Sequence, residues 1–223
     1  MANKIISNLI EATDISRKLG HEILFLLNQI IKNEGHAKVL LSGGNTPRLL
    51  YQFLNDNLSS KDYISFGLVD ERFVPSNDEK SNENMIRTIF GGSISLDGMV
   101  FEENNYAENL KKAKDLYLNK FEKPDICILG MGNDGHYASI FPKDKNSDVA
   151  QSENSPNLCN TSSPSNPKKR ITCNSELLAR SSHKFLLITD ENKRNLLQKT
   201  ELNLPIHQFI LENPSTKIYY GSY

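Results

Sequence analysis

The sequence lacks tryptophan, contains only three cysteines and carries no excess of either charge. Its 26 basic and 27 acidic residues give a net charge of -1, so the chain has no overall positive field with which to attract a polyanion. We therefore predict that it does not bind nucleic acid. The apolar runs are also short, since residues 23–27 form one of the longest, whereas ~20 apolar residues are needed to span a bilayer. A membrane-spanning segment is therefore not expected.

The cysteines Cys127, Cys159 and Cys173 are odd in number and share no CxxC spacing. This pattern fits a reducing compartment and argues against both a disulfide framework and a structural zinc site. Residues 1–6 lack the charged start, long apolar centre and small-residue cleavage site of a secretory signal. We therefore expect a cytoplasmic protein.

Short apolar runs alternate with segments of helical periodicity along most of the chain, which predicts an α/β fold around a largely parallel sheet. The pattern predicts strands near residues 39–41, 64–69, 125–129, 185–189 and 217–220, within a single domain over residues 1–223. Residues 143–168 differ, because they are rich in serine, asparagine, proline and charge. A loop of this length without regular structure is usually functional or disordered, and we interpret it as a mobile flap or insertion rather than as a domain boundary.

Polar segments follow three of the predicted strands, and ligands of open α/β sheets bind beyond the carboxyl ends of strands. The first segment, residues 42–47, has two glycines where a strand turns into a helix, with Thr46 as the expected N-cap and Pro47 as the first helical residue. Backbone N–H groups and the helix end there favour an anion such as phosphate. The alternative is an ordinary tight turn. The spacing is neither GxxxxGK[ST] nor GxGxxG, which disfavours nucleotide binding.

The second segment, Asp70-Glu71-Arg72, places three charges directly after an apolar strand. Arg72 is suited to bidentate binding of phosphate, and Asp70 to acting as a base or to orienting one. A structural ion pair that caps the sheet is the alternative.

The third segment, residues 130–136, contains three glycines and holds Asp134 close to His136. A carboxylate beside an imidazole fixes its tautomer, as a general base requires. The alternative is a hydrogen-bonded structural histidine. Backbone N–H groups of this turn are candidate donors to an oxyanion. No GxSxG motif is present, so a covalent nucleophile lacks a candidate.

Four motifs are spread over nearly the whole chain: residues 42–47, 70–72 with 81–82, 130–136 with 138–142, and 170–172. In this order and spacing they closely resemble the 6-phosphogluconolactonase family. Members of this family hydrolyse 6-phosphogluconolactone in the oxidative pentose phosphate pathway. The resemblance implies a Rossmann-like parallel sheet flanked by helices, of the glucosamine-6-phosphate deaminase and ribose-5-phosphate isomerase type. The deaminases usually have tyrosine at the position of Arg72 and an Asn-Glu-Pro type ending at residues 139–142, so the lactonases match better.

The resemblance also implies the roles of individual residues. The substrate would be a phosphorylated sugar lactone, no metal or organic cofactor would be needed, and the protein would be a monomer or a weak homo-oligomer. His136 would activate water, Asp134 would orient His136, and Asp70 would lie near the reacting sugar. The residues implied in binding the phosphate are Gly43, Gly44, Asn45, Thr46, Arg72 and Arg170.

The chain departs from the family pattern at Tyr137, where threonine is common, and near the C-terminus, where tyrosines replace a frequent tryptophan. Two rival functions remain. One is a sugar-phosphate isomerase or deaminase in which Asp70 abstracts a carbon-bound proton. The other is a non-catalytic sugar-phosphate sensor, which the intact His136 and the lack of residues for an output module such as a helix-turn-helix disfavour.

Overall fold

In the computed structural model, which describes residues 7–222, ten strands form two sheets. In chain order these strands are β1 (Leu9–Ala12), β2 (Ala37–Leu41), β3 (Ile64–Leu68), β4 (Asp70–Arg72), β5 (Ser95–Leu96), β6 (Ile126–Gly130), β7 (Leu158–Ser162), β8 (Lys169–Cys173), β9 (His183–Ile188) and β10 (Lys217–Gly221). Seven of them pair in parallel in the order β1-β10-β9-β6-β2-β3-β5, while β4, β8 and β7 form a small antiparallel sheet. The predicted α/β class is confirmed. Residues 1–6, on which the expectation of no secretory signal depends, lie outside the described residues.

Eight α-helices lie between these strands in the described part of the chain. They are α1 (Ile15–Glu34), α2 (Arg48–Asn57), α3 (Asn82–Phe90), α4 (Tyr106–Lys120), α5 (Lys145–Gln151), α6 (Ser175–Ala179), α7 (Glu191–Gln198) and α8 (Pro205–Glu212). Among the residues described, none of the helices has both the length and the apolar character needed to cross a bilayer.

Helix α1 shows how the sequence sets these elements. Its N-cap, Asp14, accepts a hydrogen bond from the backbone of Arg17, and Gly35 ends the helix with a φ of 79°, a left-handed conformation that glycine adopts without strain. Leu19, Ile23 and Leu27 are buried on one face. The apolar period in the sequence therefore corresponds to the face that packs on the core.

The sheet reverses its order between β2 and β6. From β2 the chain continues outward on one side to β3 and β5, and then returns to build β6, β9 and β10 on the other side. Such a reversal opens a crevice at the carboxyl ends of the two central strands, where α/β proteins bind ligands. The loops that follow β2 and β6 are residues 42–47 and 131–136, two of the three polar segments identified from the sequence.

Two local predictions are wrong. Helix α2 begins at Arg48 with Pro47 in the N-cap position and no side-chain cap, so Thr46 does not cap it. Residues 143–168 are not without regular structure, because they contain α5 and β7. Polar contacts hold this segment in place: the Ser147 hydroxyl accepts from the Phe141 backbone at 2.8 Å, and the Thr161 hydroxyl donates to the Ser139 carbonyl at 2.6 Å.

Candidate active site

A cavity of about 430 Å³ lies at the switch point of the sheet. It collects residues that are far apart in sequence, because the loops after β2 and β6 and the small antiparallel sheet converge there. Every residue that the sequence analysis assigned to the site lines this cavity: Gly43, Gly44, Asn45, Thr46, Asp70, Arg72, Asp134, His136 and Arg170.

The loop after β2 presents backbone N–H groups to the cavity. Among the described residues, the amides of positions 43–46 have no hydrogen-bond partner, and Gly44 has a φ of 88°, which favours glycine. Gly43 is constrained in another way, because a Cβ there would lie 1.9 Å from the side-chain oxygen of Asn82. The two glycines therefore have different roles. Gly44 allows the chain to turn, and Gly43 allows α3 to approach the loop closely.

Two arginines face each other across the small sheet. Arg72 of β4 is the register partner of Arg170 of β8, and like charges directly opposite each other destabilise an antiparallel pair. The Arg72 Nη1 donates to the Lys80 carbonyl at 2.6 Å and the Arg170 Nε to the Pro167 carbonyl at 3.0 Å, whereas the buried Arg72 Nε has no partner. Burial lowers the pKa of Arg170, the Asp70 charge opposes that shift, and Arg72 adds to it.

Neither arginine has a carboxylate within 4.0 Å in the described part of the chain. The alternative of a structural ion pair in Asp70-Glu71-Arg72 is therefore not what forms. The two guanidinium groups instead lie at the cavity wall without a paired carboxylate, and an anionic ligand is the group that would pair with them.

Glu71, the middle residue of this motif, points away from the cavity into the protein. The residue is 1% exposed. Its carboxylate accepts hydrogen bonds from the backbones of Arg72, Asn82 and Glu83 at 2.7 to 2.8 Å and from the Ser81 hydroxyl at 2.9 Å. Burial raises the pKa of Glu71 to about 7, although these hydrogen bonds favour the ionised form. The motif thus divides into two residues that line the cavity and one that anchors the surrounding chain.

His136 and Asp134 form a pair on the other side of the cavity. The His136 Nδ1 lies 2.5 Å from the Asp134 Oδ1. Burial raises the pKa of Asp134, but the hydrogen bond and the charge of His136 outweigh burial and lower it below its usual value. An ionised carboxylate only accepts, so Nδ1 carries a proton, and in the neutral form of the imidazole Nε2 is the nitrogen with the lone pair. Within the described residues, Nε2 has no hydrogen-bond partner.

The turn that carries this pair uses its own amides. The Gly132 N–H donates to the His136 carbonyl at 2.9 Å and the Gly135 N–H to the Gly132 carbonyl at 3.1 Å. These two groups are therefore not available to an oxyanion, so the expectation from the sequence does not hold for them. Two residues beyond His136, Ala138 has a φ of 46°, which is uncommon for alanine.

Asp70 lines the same cavity and is held by hydrogen bonds from two sides. Its Oδ2 accepts from the Ser139 hydroxyl at 2.5 Å, and its backbone carbonyl accepts from the Asn82 amide at 2.9 Å. Ser139 is fully buried, and its backbone N–H donates to the Thr172 hydroxyl at 3.2 Å. Asp70 is thus held at both its side chain and its backbone.

Sequence reasoning missed several residues that also line the cavity. Lys193 comes from α7, and residues 163–165 come from the loop between β7 and β8. The strand-end rule applied to β9, the neighbour of β6, would have pointed to Lys193, because α7 follows that strand. No sequence signal marks residues 163–165, because only the pairing of β7 with β8 brings them to the cavity. Across residues 7–222, no group of three or more histidine, cysteine or acidic side chains is arranged to hold a metal ion.

These features define an open α/β protein with a polar, cationic cavity at the switch point of its sheet, a class that binds small anionic molecules. A family model described as glucosamine-6-phosphate isomerases/6-phosphogluconolactonase matches residues 10–216. The chain belongs to this family, and the resemblance found in the sequence is confirmed.

Curated relatives and solved structures agree with this membership. The 6-phosphogluconolactonase of Pseudomonas aeruginosa is 28% identical over 209 residues, which cover 89% of this chain and 88% of the relative. That of Xylella fastidiosa is 28% identical over 233 residues, covering 98% and 97%. The crystal structure of a 6-phosphogluconolactonase from Shewanella baltica matches with a TM-score of 0.85 at 22% identity, covering 96% of this chain and 97% of that one. At that identity the structural match shows the shared fold.

The packing at Gly43 leads to a stability prediction. Gly43→Ala forces Asn82 to move, although hydrogen bonds hold that residue at both its backbone and its side chain. Overpacking of this kind costs about 1–3 kcal/mol, which corresponds to a fall in Tm of roughly 2–12 °C for a chain of this length. Gly130→Ala is the matched control, because no atom lies within 4 Å of a Cβ there. Thermal unfolding measures both, and an equal fall in the two variants would contradict the packing argument.

Proposed function

We propose that this chain hydrolyses 6-phospho-D-glucono-1,5-lactone to 6-phospho-D-gluconate, in the oxidative pentose phosphate pathway, with water activated by His136 and without a metal or cofactor. The observation that carries the proposal is the presence, in one cavity, of two unpaired arginines and a histidine whose Nε2 is free. The relatives named 6-phosphogluconolactonase support the choice of substrate.

The phosphate of the substrate binds between the loop after β2 and the two arginines. The free N–H groups of residues 43–46 and the adjacent start of α2 favour an anion. Arg72 and Arg170 add charge-assisted hydrogen bonds, and Lys193 adds a further cation at the cavity wall. Binding the phosphate in this way holds the lactone ring in a fixed orientation relative to His136. The reaction between them then becomes effectively unimolecular.

The chemistry takes place at the other end of the cavity. His136 Nε2 takes a proton from a water molecule, whose oxygen attacks the lactone carbonyl carbon. The tetrahedral intermediate then breaks the bond between that carbon and the ring oxygen, and the His136 imidazolium returns the proton to that oxygen. Asp134 orients the ring and stabilises its charged form, and Asp70 contacts the sugar.

The first test is turnover itself. The wild-type protein is expected to accelerate hydrolysis of freshly made 6-phosphogluconolactone in the presence of a chelator. His136→Ala is expected to lower kcat by about 10² to 10⁴-fold, because a positioned general base contributes that much. His36→Ala is the control, since His36 is exposed and contacts Ser65 rather than the cavity. Near wild-type turnover in His136→Ala would show that another group is the base.

The second test separates phosphate binding from chemistry. Arg72→Met and Arg170→Met are each expected to reduce kcat/KM for the phosphorylated lactone by about 10- to 150-fold, because a hydrogen bond to a charged group is worth ~1.5–3 kcal/mol. Plain gluconolactone, which has no phosphate, should be affected far less. Arg17→Met, an exposed change in α1, is the control. An equal loss on both lactones would assign the arginine to the chemistry or to the fold.

We also propose that residues 143–168 act as a mobile flap over the site. The loop at residues 163–165 lines the cavity next to Arg170. Ala150 and Leu158 of the segment are buried, but residues 164–166 and 168 are exposed. An exposed loop can move without the loss of buried contacts. The segment is therefore suited to open for the substrate and to close during the reaction.

Limited digestion with trypsin tests the flap. We expect the first cleavage next to Lys168 or Lys169, which are exposed, because an opened segment is cut before packed helices are. The product 6-phosphogluconate is expected to slow this cleavage, whereas gluconate at the same concentration is not. First cleavage within α1, or a rate that 6-phosphogluconate does not change, would contradict a flap that closes on ligand.

A further inference from the structure

Glu71 is a buried charged residue that the proposed reaction does not use, although it lies between two residues of the site. Its carboxylate accepts four hydrogen bonds, two on each oxygen. Four donors saturate the acceptor sites of a carboxylate. All four donors belong to Arg72 or to the start of α3, namely Ser81, Asn82 and Glu83.

These contacts hold Arg72 at both of its ends. The Arg72 backbone N–H donates to the Glu71 Oε1 at 2.7 Å. The Arg72 guanidinium donates to the carbonyl of Lys80, the residue just before Ser81, and the Ser81 hydroxyl donates to the Glu71 Oε2. The position of the guanidinium thus depends on a stretch of chain that Glu71 anchors.

The same carboxylate connects Arg72 to the loop after β2. The Asn82 backbone donates to the Glu71 Oε1, and the Asn82 side chain both binds the Asp70 carbonyl and packs against Gly43. We infer that Glu71 is a positioning residue for phosphate recognition, which acts through Arg72 and fixes the guanidinium relative to the glycine loop. This inference rests on the proposed function.

Glu71→Gln is the test variant, because it keeps the shape of the side chain and turns two of the acceptor sites into an amide that faces donors. We expect the ratio of kcat/KM for phosphorylated over plain lactone to fall by about 10- to 100-fold. The Kd for 6-phosphogluconate, measured by calorimetry without turnover, should rise by a similar factor. Glu83→Gln is the matched control. It removes a buried carboxylate in α3, and this carboxylate pairs with Arg87 and does not line the cavity.

A double variant shows whether Glu71 acts through Arg72. If it does, Glu71→Gln combined with Arg72→Met should have the same substrate ratio as Arg72→Met alone, because coupled residues are not additive. Losses that multiply, or an equal loss on both lactones in Glu71→Gln, would overturn the inference and leave Glu71 a structural residue. If Glu71→Gln does not fold, Ser81→Ala decides: it removes one of the four hydrogen bonds, and an unchanged substrate ratio in that variant overturns the inference.

The wild-type protein separates this inference from the proposed function. If it hydrolyses neither lactone and does not bind 6-phosphogluconate, the proposed function fails and the role of Glu71 fails with it. If it binds 6-phosphogluconate and Glu71→Gln binds it with an unchanged Kd, the inference on Glu71 fails alone.

Discussion

The reversal of strand order between β2 and β6 is the constraint on which the cavity depends. Parallel strands place all their carboxyl ends on one edge of the sheet, but loops from strands on the two sides of a reversal diverge and leave a crevice. In this chain the loop after β2 presents free N–H groups, and the loop after β6 presents His136. Phosphate binding and catalysis, as proposed for this cavity, therefore come from opposite sides of the reversal in strand order.

The small antiparallel sheet adds charge to this crevice at a cost in stability. Its register places Arg72 opposite Arg170, and burial makes their repulsion stronger than it would be in water. A fold selected only for stability would place a carboxylate at one of these positions. The surrounding chain offsets the cost through carbonyl groups, those of Lys80 and Pro167, which accept from the guanidinium groups without neutralising them. The charge thus remains available to a ligand.

The sequence was sufficient for features that local pattern determines. The apolar period of α1 and the glycine-framed turns at strand ends are encoded within a few neighbouring residues, and the structure contains them. The register of β4 with β8 is not encoded locally, so the pairing of the two arginines was out of reach. Residues 143–168 were predicted as a loop because their apolar content is low, but Ala150 and Leu158 are buried there, and the Ser147 and Thr161 hydroxyls form buried hydrogen bonds.

The three residues of the motif Asp70-Glu71-Arg72 do not share one role in the folded protein. Alternate residues of a strand point to opposite faces, so Asp70 and Arg72 line the cavity while Glu71 between them faces the interior. Three consecutive charges would be costly if all of them were buried without partners, but each has a different solution: Ser139 for Asp70, four donors for Glu71, and a ligand for Arg72. The residue that faces away from the cavity is then well placed to set the positions of the two that face it, since its carboxylate accepts hydrogen bonds from both the strand and the start of α3.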